Sequence, residues 1–440
     1  MTDSTNDSLS RRAFVQASAV VTAGLMLPRK LSAMHARPAG AADSDVIRIG
    51  LVGCGGRGTG AARDCMRASD GVQIVALGDA FPDRLASCRA NLSKVVADTP
   101  ALAPKYAVTD DKCFTGFDAY QKVIDSGVDL VMFATPPGFR PVHLAAAVAA
   151  GKHVFIEKPA GVDPTGVRSV LASAELAKQK GLAIVAGTQR RHDLGYRAVI
   201  DRVKNGDIGD VLGGQVYWNQ GGLWMNARKP EWTDTEWQLR NWLYFTWLSG
   251  DHIVEQHLHN IDVANWVLGA HPIKATGVGG RQWRTDPAYG HIYDHFAIDY
   301  EYPNGVHIMS MCRQIDGSAN LVAENFIGTK GSTDAKGTIF GAKAFKYAGD
   351  APNPYVQEHA DLHASIRAGK PLNEGKQVAE TTLSAIMGRE AAYTGQSISW
   401  DEAMRSTQSL VPTTIALGAL PVPSVAMPGQ TKLDRTWSGI

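Results

Sequence analysis

From Val46 to about Gly187, short continuous apolar runs alternate with segments whose apolar residues recur at helical spacing. Val46-Ile-Arg-Ile49, Gln73-Ile-Val-Ala-Leu77, Asp129-Leu-Val-Met-Phe-Ala134, His153-Val-Phe-Ile-Glu157 and Leu182-Ala-Ile-Val-Ala186 read as strands. Runs this apolar belong to a parallel sheet covered on both faces. Helical patterns fill the intervals at 59–66, 82–96, 116–126, 141–150 and 163–180. The alternation predicts an α/β, doubly wound parallel sheet over 43–187. After Gly187 the period changes. Alternating strands at 212–218, 296–302 and 306–312 predict an open antiparallel sheet with helices on one face, within an α/β domain over 188–440. The stretch 355–394 is helical in pattern and placed to pack back on the first domain.

The first apolar run leads into Gly50-Leu-Val-Gly-Cys-Gly-Gly-Arg-Gly58, where Gly53, Gly55 and Gly58 have the spacing GxGxxG. Such glycines serve a tight strand-to-helix turn, close backbone approach to a pyrophosphate, and close helix–strand packing. The following helix turns its free N–H groups toward the phosphates. The second strand runs to Asp79, about 20 residues past the last glycine, where a carboxylate accepts both ribose hydroxyls. It also repels a 2′-phosphate, so NAD is favoured over NADP, which the nearby Arg84 leaves open. The third strand ends in Thr135-Pro136-Pro137, on the carboxyl edge of the sheet where ligands of such folds sit.

At 440 residues the chain is long enough for two domains. Its net charge of +1, without a basic run beyond the amino terminus, argues against a nucleic-acid partner. Five scattered cysteines, Cys54, Cys65, Cys88, Cys113 and Cys312, form no CxxC pair and suggest neither a disulfide framework nor a zinc site. The first 42 residues read as a signal and linker. Ser10-Arg-Arg-Ala-Phe-Val15 is a twin-arginine pattern, and the apolar stretch 17–27 is too short for a membrane span. Ala39-Gly-Ala41 is one of several cleavage sites. The twin-arginine route carries folded proteins to the periplasm, which has no free nicotinamide pool. A cofactor used there must be tightly bound.

Glu157-Lys158-Pro159 ends a strand on the ligand edge, where a lysine can orient a substrate hydroxyl or be merely solvated. Further on, a helix over 251–268 sets Asp251, Glu255, His259 and Asp262 on one stripe. A histidine flanked by carboxylates one turn away has raised basicity, as a general base requires. A structural histidine, or a metal set of Glu255, His257 and His259, are the rivals. His257 and His259 point about 160° apart on a helix, so no metal is expected. Six tryptophans, Trp218, Trp224, Trp232, Trp237, Trp242 and Trp247, suit either the apolar faces of sugars or a subunit interface. Gln189-Arg190-Arg191-His192 stands where it reaches a substrate oxygen or caps the domain junction.

The ordered set of Gly53-x-Gly55-x-x-Gly58, Glu157-Lys158-Pro159, and a histidine three residues before Asp262 resembles the Gfo/Idh/MocA family over roughly 46–394. The resemblance implies a Rossmann domain, a second domain whose open sheet builds homodimers or homotetramers, and hydride transfer between nicotinamide and a carbohydrate carbon. It makes Lys158 the motif lysine and His259 the base. Glu255 stands where the family usually carries aspartate. The cofactor contacts are then Gly53, Gly55, Gly56, Arg57, Gly58, Asp79, Thr135, Pro136, Glu157 and Lys158. Arg190, Arg191, Trp224 and Asp262 are the substrate contacts. The exported branch of the family also holds redox-neutral NAD-dependent glycosidases. That chemistry, elimination by a lyase, and a non-catalytic sugar-binding role are the alternatives to a dehydrogenase.

Overall fold

Six short strands form the first sheet in a computed structural model that describes residues 46–437. They are β1 (Ile47–Val52), β2 (Val72–Asp79), β3 (Cys113–Thr115), β4 (Leu130–Phe133), β5 (His153–Ile156) and β6 (Ile184–Ala186), in the all-parallel order β3-β2-β1-β4-β5-β6. The helices α1 (Gly56–Ala68), α2 (Pro82–Asp98), α3 (Ala119–Asp125), α4 (Arg140–Ala149) and α5 (Pro164–Gln179) alternate with them. Strand order reverses at β1, and β4 lies on its far side. The crevice between their carboxyl ends is where such sheets bind ligands. The strands bury both faces, with Ile49, Leu51, Val131 and Met132 fully enclosed, as their unbroken apolar runs require. Only β3 lacks a pattern in the sequence, because Cys113-Phe-Thr115 is too short to show a period.

The second sheet has nine strands in the order β14-β13-β12-β11-β7-β10-β9-β8-β15. They are β7 (Val211–Gln220), β8 (Lys274–Gly280), β9 (His295–Glu301), β10 (His307–Gln314), β11 (Leu321–Gly328), β12 (Gly331–Thr333), β13 (Thr338–Gly341), β14 (Phe345–Lys346) and β15 (Ile398–Ser399). The sequence predicts an antiparallel sheet, but β10 runs parallel to β7, pairing Ser310 with Val216, so the sheet is mixed. The reason is connectivity. Helices and the strands β8 and β9 separate the two in sequence, so neither is bound to the other's direction by a hairpin. Alternation sends Phe296, Ile298 and Tyr300 of β9 inward and His295, Ala297 and Asp299 outward.

The remaining helices are α6 (Leu194–Lys204), α7 (Asp234–Arg240), α8 (Thr246–Ser249), α9 (His252–Glu255), α10 (Leu258–Leu268), α11 (Pro354–Arg367), α12 (Gly375–Thr394) and α13 (Trp400–Arg405). Helices α10 and α12 cover the inner face of the mixed sheet, sharing a core with Ile298, Ile308 and Phe326. Helix α12 also packs on α5, and α11 on α1, where Leu362 joins the cluster of Ile49, Leu51 and Met66. Both sheets belong to one compact unit, Ala42–Ile440. The twin-arginine pattern and its cleavage sites lie outside the described residues. Among the described residues, no helix is long and apolar enough to cross a membrane.

Candidate active site

The glycine turn closes around its own backbone. Gly53 has φ +95°, and a Cβ there would stand 2.6 Å from the Ala134 carbonyl carbon. A Cβ on Gly58 would come within 1.8 Å of the Gly53 carbonyl oxygen. At Gly55 and Gly56 the opposite holds, and a Cβ would meet nothing within 4 Å. That open space faces the start of α1, which has neither a side-chain cap nor an acid in its first turn. Uncapped N–H groups beside a cradle that only glycines leave open fit a dinucleotide pyrophosphate.

A cleft of about 470 Å³ runs from this turn past Arg57 and Asp79 to Thr135 and Pro136. The Asp79 carboxylate accepts the Cys54 N–H at 2.6 Å and the Phe81 N–H at 2.9 Å, which aims it at the ribose end. Burial pushes its carboxyl above the usual range, and the two N–H donors oppose that shift. Arg84 lines the same end. Trp224, predicted as a substrate contact, lines this cleft as well, with its ring 6.2 Å from that of Trp242.

Strand β5 delivers Glu157 and Lys158 to the carboxyl edge. Lys158 Nζ donates to Glu255 Oε1 at 2.9 Å and to the Glu255 carbonyl at 2.6 Å. Glu157 turns away from the cleft and pairs with Arg57, which also reaches Glu358 at 3.0 Å. Glu358 is fully buried, and burial, then the nearby Glu157, push its carboxyl well up. His259 opens α10 and stacks on the Trp218 indole, centroids 5.7 Å apart and planes 25° off parallel.

The single helix predicted over 251–268 is broken into α9 and α10 at Gln256 and His257. Asp251 caps α9 with φ +75° and accepts N–H groups of His252 and Tyr293 and the Tyr393 hydroxyl. Asp262 is 1% exposed and is taken up by Arg191 (2.7 and 2.9 Å), Thr381 (2.8 Å) and Gln377. Arg191 and Asp262, both predicted as substrate contacts, are instead paired with each other, the carboxylate buried inside the fold. Nor is His259 flanked by carboxylates. Burial first, then Lys158, Arg190 and Arg57, push its pKa well below the usual histidine value. The predicted rise in basicity is replaced by a neutral imidazole.

The Arg190 guanidinium stands 5.5 Å from the Trp218 ring centre and pairs with Glu324. Glu324 also accepts the Tyr196 hydroxyl at 3.1 Å and the Asn260 amide at 2.6 Å. Sequence reasoning missed Glu324, yet it shares the inward phase of β11 with Phe326, and a charge in a buried phase is itself a signal. His257 Nε2 shares a 2.7 Å hydrogen bond with the Ser310 hydroxyl while His259 faces Trp218, so the two do not converge. Among the described residues, no three His, Cys, Asp or Glu side chains gather as a metal set.

Residues 47–187 match an oxidoreductase family with an NAD-binding Rossmann fold, and 196–334 match the GFO/IDH/MocA C-terminal domain. The inositol 2-dehydrogenase of Serratia proteamaculans is 28% identical over 270 residues, covering 60% of this chain and 66% of that protein. The 2,7-anhydro-N-acetylneuraminate hydratase of Escherichia coli is 26% identical over 208 residues, covering 47% of this chain and 50% of that protein. The chain spans 44% to 66% of the length of four inositol 2-dehydrogenases that it matches. A scyllo-inositol dehydrogenase from Lactobacillus casei, solved with NAD(H) and scyllo-inositol, shares the fold at a TM-score of 0.59 and 19% identity, over 80% of this chain and 99% of that one. With its Rossmann domain and the larger part of its second sheet matched in order, this chain belongs to the GFO/IDH/MocA oxidoreductase family.

Proposed function

We propose that this protein is an exported oxidoreductase that holds NAD tightly and oxidises a secondary hydroxyl of a neutral sugar, polyol or glycoside. One observation carries the reading: Lys158 acts through its charge on a neutral His259 that stacks on Trp218, and each cation around that imidazole is already paired. Lys158 is matched by Glu255, Arg190 by Glu324, and Arg57 by Glu157 and Glu358. Paired cations offer hydrogen bonds without surplus charge, which suits hydroxyls and not a phosphate or carboxylate. The Trp218 face suits the C–H side of a ring. His259, neutral, accepts the hydroxyl proton. Lys158 spends two of its three N–H donors on Glu255 and keeps the third for the substrate oxygen. NAD, when bound, takes up the hydride.

Asp79 supports NAD over NADP, and the twin-arginine pattern at 10–15 supports a periplasmic site of action. The outer face of the mixed sheet exposes Val278, Met309, Ile327 and Phe340, which supports a homodimer or homotetramer built on it. The relation to a hydratase favours a second reading, a redox-neutral elimination in which transient oxidation acidifies a neighbouring C–H. Denaturing the purified full chain should release NAD, and mass spectrometry after incubation with inositols, sugars and glycosides should find a product lighter by two hydrogens. A product altered only by loss of an aglycone or of water supports the second reading. A protein without dinucleotide, inert to the whole panel, refutes both.

A further inference from the structure

The connection leaving β7 does not stay with its own sheet. Residues 221–245 cross to the first sheet, and Trp224, Asn226, Arg240 and Trp242 line the cleft that holds the glycine turn. Arg240 fastens this crossing. Its two terminal nitrogens donate to the two Asp83 carboxylate oxygens at 2.9 and 3.0 Å, and its guanidinium lies 4.3 Å from the Phe81 ring centre. Asp83 sits in the first turn of α2, four residues past Asp79, at the ribose end. The other side of the crossing is held by the carboxyl-terminal tail. Thr235 N–H donates to the Gly418 carbonyl at 3.1 Å, and the Gln238 amide to the Leu420 carbonyl at 2.8 Å. Both edges are thus tied down, and the indoles of Trp224 and Trp242 form the inner wall.

We propose that the Arg240–Asp83 tether holds this crossing over the adenosine end of the cleft, so that Trp224, Asn226 and Trp242 complete the dinucleotide site and the tether sets how fast NAD leaves. The inference rests on the NAD reading of the cleft. A parallel sheet alone leaves that end of a dinucleotide open to solvent, whereas here an aromatic wall from the second sheet faces the glycine turn. The wall can move aside only when the bidentate pair parts. Asp83 does not line the cleft, so its substitution tests the tether without touching the cofactor's contacts.

The full chain is loaded with labelled NAD and chased with excess unlabelled NAD. Asp83→Ala is expected to speed release about tenfold, the scale of one lost bidentate charge-assisted contact. Association should quicken as well. Release from the wild type should accelerate with salt, which screens an exposed pair, while the variant loses that dependence. Asp83→Asn, which keeps the side-chain shape, serves if the alanine variant does not fold, and should release at an intermediate rate. Release at the wild-type rate from the folded variant, with Asp79→Ala still weakening NAD, overturns the tether and leaves the NAD reading intact. A wild type that binds no NAD at all overturns both.

Discussion

Lys158 and His259 are coupled through charge as well as position. The Lys158 ammonium is the second cause, after burial, that holds the imidazole in its neutral form. Removing that cation should let the His259 pKa climb part of the way back, since burial remains. A base works only when deprotonated, so the acidic limb of kcat/KM against pH should move to higher pH in Lys158→Met. Turnover should also fall by roughly 10²–10⁴-fold, the range for a positioned acid–base group. His259→Ala should fall as far and lose the limb altogether, with NAD retained in both variants. A Lys158→Met profile of unchanged shape, merely scaled down, would show that the lysine binds substrate without tuning the histidine.

Elements, not single residues, decide where Arg57 stands. It leaves the first turn of α1 and ties the end of β5, through Glu157, to α11, through Glu358. Arg57→Leu would strand two buried carboxylates beside each other. A broken buried pair costs several kcal/mol, and roughly 3 kcal/mol is expected here because Arg57 is itself partly exposed. Denaturant unfolding should show a lower midpoint, with Arg57→Lys recovering part of it. An unchanged midpoint in Arg57→Leu would rule out the tie. None of this was legible in the sequence, where Glu157 reads as a cofactor contact, because Arg57 lies 100 positions from Glu157 and 301 from Glu358. The glycine turn was legible for the opposite reason. Gly53 answers to its own positive φ and Gly58 to a clash with the Gly53 carbonyl five residues before it, and local geometry leaves a local pattern. The 251–268 stretch misleads by the same logic. Its spacing is helical throughout, but Asp251 is drawn into a buried capping role by Tyr293 and Tyr393, residues no local period can reveal.

At the scale of the whole molecule, the change of period after Gly187 announces the second sheet, while the mixed strand directions and the 221–245 crossing depend on partners far along the chain. Folding around so many interior contacts encloses histidines. Eight of the described ones, His143, His153, His252, His257, His259, His291, His359 and His363, have pKa values lowered chiefly by burial. His143, His257, His291 and His363 fall to about 3. The unfolded chain takes up protons at these sites from about pH 6.5 downward, and the folded chain does not. Stability from them is therefore complete above pH 6.5 and drains away as pH falls, by up to about 1.4 kcal/mol per histidine per pH unit. His192 has the opposite sign. Burial lowers its pKa, but Asp361 and Glu374 raise it more, so its contribution is lost as pH rises. Asp251, raised to about 6, and Glu358, Glu324, Asp163 and Asp79 also favour the folded state in mild acid, but with His192 they make six groups against eight histidines. The melting temperature should thus drop steeply between pH 6.5 and 5, before most ordinary carboxylates titrate. Calorimetric scans in low-salt buffers across pH 8 to 5 measure it directly. A melting temperature that stays level through this window would mean that the buried histidines gain protons without unfolding, through water or local opening that the packed interior does not show.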